Sequence, residues 1–138
     1  MNPEHLTFLR CPQSGGRLKT EDAQMVGNRI QSGRLVSFES PGKPSYPIVD
    51  FVPRFVSSEN YAQNFGLEWN LHSRTQYDSE TGINVSGDRL DKFTGWPSDM
   101  TGEIVLEAGS GSGRFTEPLL RRGATVVSFD FSDAVEAN

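Results

Sequence analysis

The hydrophobic positions along the chain fall into three stretches of different texture. From residue 1 to about residue 56, short apolar runs alternate with segments rich in Gly, Pro and Ser, a pattern typical of short strands joined by turns. The predicted strands are Arg17–Thr20, Arg34–Glu39 and Tyr46–Val49, and the predicted turns are Ser14–Gly16, Ser32–Gly33 and Ser40–Gly42. Residues 1–56 are therefore predicted to form a small β-rich module.

The second stretch, residues 57–102, has the pattern of helices and connecting segments. Three aromatic residues recur at four-residue intervals and would share one helix face: Tyr61, Phe65 and Trp69. Ser58 precedes them and can cap the helix N-terminus. A second helix is predicted over Asp88–Thr94, since Gly95 and the following Trp-Pro pair would end it. This stretch is predicted to be a helical connector or lid.

The third stretch, residues 103–138, alternates strand and helix. The apolar run Ile104–Leu106 suits a buried parallel strand, and Thr125–Phe129 predicts a second strand. Between them a helix is predicted from about Arg114 to Arg122, followed by Gly123 as its C-terminal cap. Its predicted inner face comprises Phe115, Leu119 and Leu120, and a further helix is predicted to begin near Ser132 or Asp133. Strand, helix and strand make one βαβ unit, so the predicted class is α/β.

Composition and charge narrow the function classes. The chain has 138 residues and a net charge of −5, which gives no electrostatic reason to expect nucleic-acid binding. It has neither a membrane-spanning apolar segment nor a signal peptide pattern, which predicts a cytoplasmic protein without membrane contact. Its single cysteine, Cys11, excludes an internal disulfide.

The candidate chemistry lies in the glycine-rich turn after Ile104–Leu106. Residues 107–113 read E-A-G-S-G-S-G, and Asp130 follows the next strand, 21 residues after Gly109. Glycines let a ligand approach the backbone, and a carboxylate at that strand end can accept hydrogen bonds from both hydroxyls of a ribose. Two cofactor classes fit this arrangement, a dinucleotide and S-adenosylmethionine (SAM).

The spacing of the glycines discriminates between the two classes. The dinucleotide pattern G-x-G-x-x-G would place its third glycine at Arg114, whereas here the third glycine is Gly113. Glu107 would repel a pyrophosphate but would favour the cationic amino or sulfonium group of SAM. The phosphate-binding pattern of ATP and GTP hydrolases is absent from the sequence.

Residues 105–113 and 127–132 resemble the first and second motifs of class I SAM-dependent methyltransferases of the type 11 kind. The resemblance implies that the chain begins a Rossmann-like sheet and that SAM is its cofactor. It further implies that Gly109–Gly113 cradle the methionyl part of SAM, with Glu107 near its amino group. Asp130 would bind the ribose and Phe131 would pack near the adenine. The implied cofactor-binding residues are Glu107, Ala108, Gly109, Ser110, Gly111, Gly113, Asp130 and Phe131.

The first 55 or so residues resemble a small zinc-ribbon-like domain of the methyltransferase-activator type, which also occurs fused in front of methyltransferase domains. The sequence departs from that domain because Ser14 stands where its second cysteine belongs, and Phe51 replaces the glycine of its closing turn. Structural zinc needs four ligands, which Cys11, His5 and His72 cannot supply, so we predict a metal-free module. Its predicted core is Leu9, Leu18, Leu35, Phe38, Ile48 and Val52, and Cys11 is predicted to be a partly buried structural residue.

The middle stretch resembles the segments that precede the SAM motif in such fused enzymes. One interpretation is that its aromatic residues only pack a lid helix onto the domain. The other is that Trp69, Arg74 or Gln76 contacts SAM or borders the substrate entrance, with Arg74 pairing with the methionyl carboxylate.

Class I methyltransferases have seven strands, and two are predicted here. We therefore expect an N-terminal portion of a longer enzyme, inactive by itself, in preference to a chain that completes its sheet with another molecule. Its methyl acceptor is unknown, and its exposed sheet is expected to favour self-association. The alternatives are an adaptor module for a partner methyltransferase and a NAD-dependent oxidoreductase.

Overall fold

The computed structural model describes residues 1–57 and 63–138, with side chains from residue 66 onward in the second of these ranges. The chain is mixed α/β, with a four-stranded antiparallel sheet and a two-stranded parallel sheet in the described residues. It divides into two compact units, Met1–Ser57 and Ser58–Asn138. The predicted connector and the predicted βαβ unit thus share the second unit.

The first unit is a meander of four strands in the order β1-β2-β3-β4, preceded by a short 3-10 helix at Pro3–Thr7. The strands are β1 Leu18–Val26, β2 Arg29–Ser37, β3 Ser45–Val49 and β4 Val52–Pro53. Successive strands pair antiparallel, as expected for strands joined by short turns.

The turn predicted at Ser32–Gly33 is wrong, because both residues lie inside β2. Gly33 has a φ of +143° and faces an irregularity of β1 between Glu21 and Gln24. A Cβ at Gly33 would stand 3.0 Å from the carbonyl oxygen of Glu21, so the bulge in β1 requires glycine opposite it. The strands reverse instead at Gly27, whose φ is +59°.

The core of the first unit forms on one side of this sheet. Its buried members are Met1, Cys11, Leu18, Ile30, Leu35, Tyr46 and Ile48. The predicted core residues Leu18, Leu35 and Ile48 are among them, and Leu9 packs against them half-buried. Phe38 was predicted to be buried, but it is 48% exposed. It follows the last residue of β2, Ser37, and lies three positions from the buried Leu35, so side-chain alternation directs it away from the core face.

In its described residues, 63–138, the second unit contains four α-helices and the two parallel strands. The helices are α1 Gln63–Leu71, α2 Asp78–Thr81, α3 Val85–Thr94 and α4 Thr116–Arg121, and the strands are β5 Ile104–Ala108 and β6 Thr125–Phe129. A 3-10 helix at Asp133–Glu136 follows β6, with Ser132 as its N-cap. Each of these helices is too short or too polar to cross a lipid bilayer, as far as the chain is described.

The sheet of the second unit is covered on one face by helices. Val105, Leu90, Met100, Leu119 and Ala124 form its buried core. β5 was predicted to be buried along its length, but Ile104 and Leu106 are 58% and 68% exposed. Both residues point away from the helical layer, since side chains alternate between the two faces of a strand.

The predicted elements of this unit recur with small shifts. β6 has the predicted bounds, α3 ends at the predicted Thr94, and Gly123 follows α4 with a φ of +84°. Leu119 is buried as predicted, whereas Leu120 is 56% exposed and does not belong to the inner face. The helix α2 was not predicted. The predictions for Ser58, for Tyr61 and for the Phe65 side chain lie outside the described residues.

Candidate functional site

A cavity of about 320 Å³ lies in the second unit, bordered by the segments that follow β5 and β6. Four of the residues predicted to bind a cofactor line it, namely Gly109, Ser110, Gly111 and Asp130. The other described lining residues are Trp69, Gln76, Ser112, Arg114, Phe115 and Ser132. The cavity volume lies in the range of small-molecule sites, roughly 300–1,000 Å³.

The turn after β5 is fastened to the end of β6 by backbone hydrogen bonds. The amides of Gly109 and Ser110 both donate to the carbonyl oxygen of Phe129, over 2.8 and 3.2 Å. Gly109 and Gly111 have φ values of +72° and +53°, and a Cβ at either would meet nothing within 4 Å. These two glycines therefore leave open space beside the backbone on the cavity wall, where a ligand could approach it.

Gly113 has a different environment from the first two glycines. Its φ is +98°, and a Cβ there would collide with the Asn138 side chain and come within 3.0 Å of the Tyr77 hydroxyl oxygen. Tyr77 in turn donates a hydrogen bond to the carbonyl oxygen of Ser112. Gly113 lies off the cavity lining, and the absence of its side chain lets these groups pack closely against the turn.

Asp130 is the acidic residue among the described lining residues. Its Oδ2 accepts from the Gly111 amide at 2.7 Å, and its Oδ1 accepts from the amide and the hydroxyl of Ser132 at 2.8 and 2.7 Å. Burial acts to raise the pKa of Asp130, but the hydrogen bonds from Ser132 and Gly111 outweigh burial and hold the pKa below its ordinary value. Asp130 is therefore ionised at neutral pH and presents only acceptor oxygens.

The remaining predicted site residues lie off the cavity lining. Glu107, on β5, accepts hydrogen bonds from the hydroxyls of Thr116 on α4 and Ser128 on β6. Its carboxylate thus ties the helix to both strands. Ala108 ends β5 opposite Phe129, and Phe131 is 45% exposed.

The three residues considered in the middle stretch separate into two groups. Trp69 on α1 and Gln76 line the cavity. Arg74 is outside the lining, and its Nη1 lies 2.8 Å from Oε1 of Glu80 in an exposed ion pair. Arg74 therefore pairs with a residue six positions along the chain and does not line the cavity.

Arg114 is the cation among the described lining residues. Its Nε donates to the Ser86 hydroxyl at 3.1 Å, and its Nη1 lies 3.5 Å from Oε1 of Gln76. From the sequence, Arg114 was predicted to begin a helix and spoke against a dinucleotide, and it was not predicted to bind a ligand. Its position immediately after the glycine turn was the available signal, but its partners lie 28 and 38 residues away along the chain.

The first unit has fewer candidate functional residues than the second. Cys11 is 1% exposed, as a structural cysteine would be, and its Sγ lies 3.2 Å from the Tyr46 hydroxyl in the core. Within residues 1–57 and 63–138, no three His, Cys, Asp or Glu side chains are grouped closely enough to hold a metal ion.

Comparison with known proteins does not assign this chain to a family. Neither a protein-family model nor a curated protein sequence matches this chain. Any functional assignment therefore depends on the cavity and its residues.

Proposed function

We propose that the second unit binds SAM and belongs to a class I SAM-dependent methyltransferase whose methyl acceptor is unidentified. The observation that carries the proposal is the junction between Asp130 and the turn after β5. An ionised carboxylate borders the same cavity as two glycines whose missing side chains leave the backbone accessible. A Rossmann-like parallel sheet, of which β5 and β6 would be the first two strands, is part of the proposal.

The donor and acceptor groups of the cavity fit SAM. Asp130 can accept hydrogen bonds from ribose hydroxyls. The Ser132 hydroxyl is the donor most easily replaced, because its O–H can turn to another acceptor while Oγ continues to accept from the Ala134 amide. Trp69 and Phe115 supply apolar surface along the lining. SAM supplies an electrophilic methyl group, and the contribution of these residues is to bind and orient it, since in-line displacement depends on alignment.

Glu107 has a more limited part in this proposal than the resemblance implies. Its bonds to Thr116 and Ser128 hold β5, β6 and α4 together beneath the turn. We assign it the positioning of the turn, and no direct contact with the amino group of SAM is required.

Calorimetric titration of the 138-residue chain with S-adenosylhomocysteine, SAM and NAD⁺ tests the assignment. We expect both SAM-type ligands to bind, NAD⁺ not to bind, and Asp130→Asn to weaken their binding at least tenfold, because the ribose loses a charged acceptor. Asp99→Asn is the matched control, since Asp99 also accepts a backbone hydrogen bond, from Thr101 at 3.0 Å, but lies off the cavity lining. Binding of NAD⁺ alone would support the oxidoreductase alternative and overturn the proposal.

A further inference from the structure

The two charged residues of the cavity lining carry opposite charges. Among the described residues that line it, Arg114 is the cation and Asp130 the anion. Asp130 is held by Gly111 and Ser132, whereas Arg114 is held by Ser86 and Gln76. The cavity therefore has a separately supported group for an anionic part of its ligand.

One of the two residues that hold Arg114 in place, Ser86, is buried. Ser86 is fully buried in the first turn of α3, and its own amide donates to Asp78 at 2.9 Å. The Arg114 guanidinium also lies 5.4 Å from the centre of the Phe115 ring. A guanidinium has five N–H donors, and the contacts to Ser86 and Gln76 use two of them. A planar fork fixed in this way loses little further freedom when it binds a carboxylate.

Arg74, which one of the two interpretations of the middle stretch pairs with the methionyl carboxylate, is placed differently. It is exposed, it pairs with Glu80, and it lies off the lining. Arg74 and Arg114 therefore differ in the property on which ligand recognition depends, namely a supported position on the cavity lining.

We propose that Arg114 recognises the carboxylate of the bound ligand, so that the site selects a nucleoside carrying an amino acid over the same nucleoside without a carboxylate. This inference rests on the proposed function and names the residue that makes the site specific for SAM-type ligands. Arg114 bonds to the carboxylate oxygens while Asp130 holds the ribose, and a ligand that lacks either group loses the corresponding charge-assisted hydrogen bonds.

The test compares S-adenosylhomocysteine with its decarboxylated analogue, which keeps the adenosine, the thioether and the amino group. Calorimetry on the 138-residue chain is expected to show at least a tenfold preference for the ligand with the carboxylate. Arg114→Gln should reduce that ratio to near one by weakening only the carboxylate ligand, and Arg114→Lys should restore part of it. Arg74→Gln is the matched control and should leave the ratio unchanged.

The outcomes separate this inference from the proposed function. Equal binding of the two ligands by the unaltered chain would overturn the role of Arg114 and leave SAM binding intact, and it needs no variant that might fold poorly. A ratio preserved in Arg114→Gln, or one abolished by Arg74→Gln, would do the same. Failure of both ligands to bind would overturn the proposed function and this inference together.

Discussion

The glycines of the turn after β5 differ in what a methyl group would meet at each position. At Gly111 it would enter open space on the cavity wall, whereas at Gly113 it would collide with Asn138 and approach Tyr77. Asn138 is not free to move aside without cost, since its side chain donates to the Thr116 hydroxyl at 3.0 Å. The same substitution should therefore affect binding at one glycine and folding at the other.

We expect Gly111→Ala to abolish detectable binding of S-adenosylhomocysteine while costing only the strain of a left-handed alanine, about 1–2 kcal/mol. Gly113→Ala should cost more, about 3 kcal/mol in the free energy of unfolding, because the strain of its φ of +98° and the collisions add to each other. Urea unfolding followed by circular dichroism gives the stabilities, and calorimetry gives the affinities.

Removing the obstructing side chain supplies the control for Gly113. In an Asn138→Ala background, Gly113→Ala should destabilise less than in the unaltered chain, since one of the two close contacts is gone. Equal losses of stability at Gly111 and Gly113 would show that the backbone conformation alone, and not packing, requires glycine at both.

At the scale of helices, α2, α3 and α4 are joined by carboxylates, each of which caps the N-terminus of another helix. Glu117 on α4 accepts from the amide of Asp78 at 2.9 Å, and Asp78 on α2 accepts from the amides of Ser86 and Gly87 at 2.9 and 2.8 Å. Each acceptor satisfies amides of a helix first turn that have no partner within the helix. Because Ser86 also holds Arg114, this network reaches the cavity.

Asp78 is expected to contribute stability that is lost in acid. Burial acts to raise its pKa, but the hydrogen bonds from Ser86 and Gly87, aided by Arg121, outweigh burial and leave the pKa below the ordinary 3.8. A lowered pKa means that the stabilisation is complete above pH 3.8 and disappears as the pH falls through the lower folded-state value. Asp78→Ala should cost about 2 kcal/mol at pH 7, because two buried amides lose their acceptor.

Urea unfolding at pH values between 2 and 7 checks this expectation. Asp78→Asn should flatten the decline in stability below pH 4, since the asparagine amide does not titrate in this range. Asp88→Asn, on the exposed face of α3, is the control and should retain the decline. An unchanged acid dependence in Asp78→Asn would assign that decline to other carboxylates.

Helices and strands could be predicted from the sequence where residues close together along the chain determine the backbone conformation. β6 was predicted because a run rich in β-branched and aromatic residues begins two positions after Gly123. The end of α3 was predicted because Gly95 follows it, and Gly95 takes a φ of +63°. Gly33 was misread as a turn because a bulge in the partner strand demands the same residue, and that demand arises from pairing. α2 was missed since its four residues are polar and its amides are capped by Glu117, far along the chain.

The same distinction between short-range and long-range causes applies to the candidate site. The turn and Asp130 were predictable, because both follow from a strand ending at a fixed edge of a parallel sheet. Arg74 was considered as a ligand-binding residue and Arg114 was not, because nothing local indicates which arginine reaches Ser86 and which reaches Glu80. Contacts between helices decide that choice, and they are not visible in residue spacing.

At the scale of the whole molecule, the parallel sheet of the second unit exposes apolar side chains on one of its faces. The pairing of β5 with β6 sets Leu106 opposite Val127 and Ala108 opposite Phe129, and side-chain alternation places these residues on one face. On that face Ile104, Leu106 and Phe129 are 58%, 68% and 53% exposed. Parallel sheets are ordinarily covered on both faces, so this apolar surface favours association.

We therefore expect the 138-residue chain to self-associate through this sheet face at micromolar concentrations, measured by sedimentation velocity over a range of concentrations. Leu106→Lys should shift the chain towards monomer, because it places a charge at the most exposed apolar position of the face and, being exposed, costs little stability. Val26→Lys is the matched control, since Val26 is a 52% exposed strand residue of the first unit. Association that persists in Leu106→Lys would exclude this face as the contact. So would an equal loss of association in Val26→Lys, because a lysine should weaken association only when it lies in the contact surface.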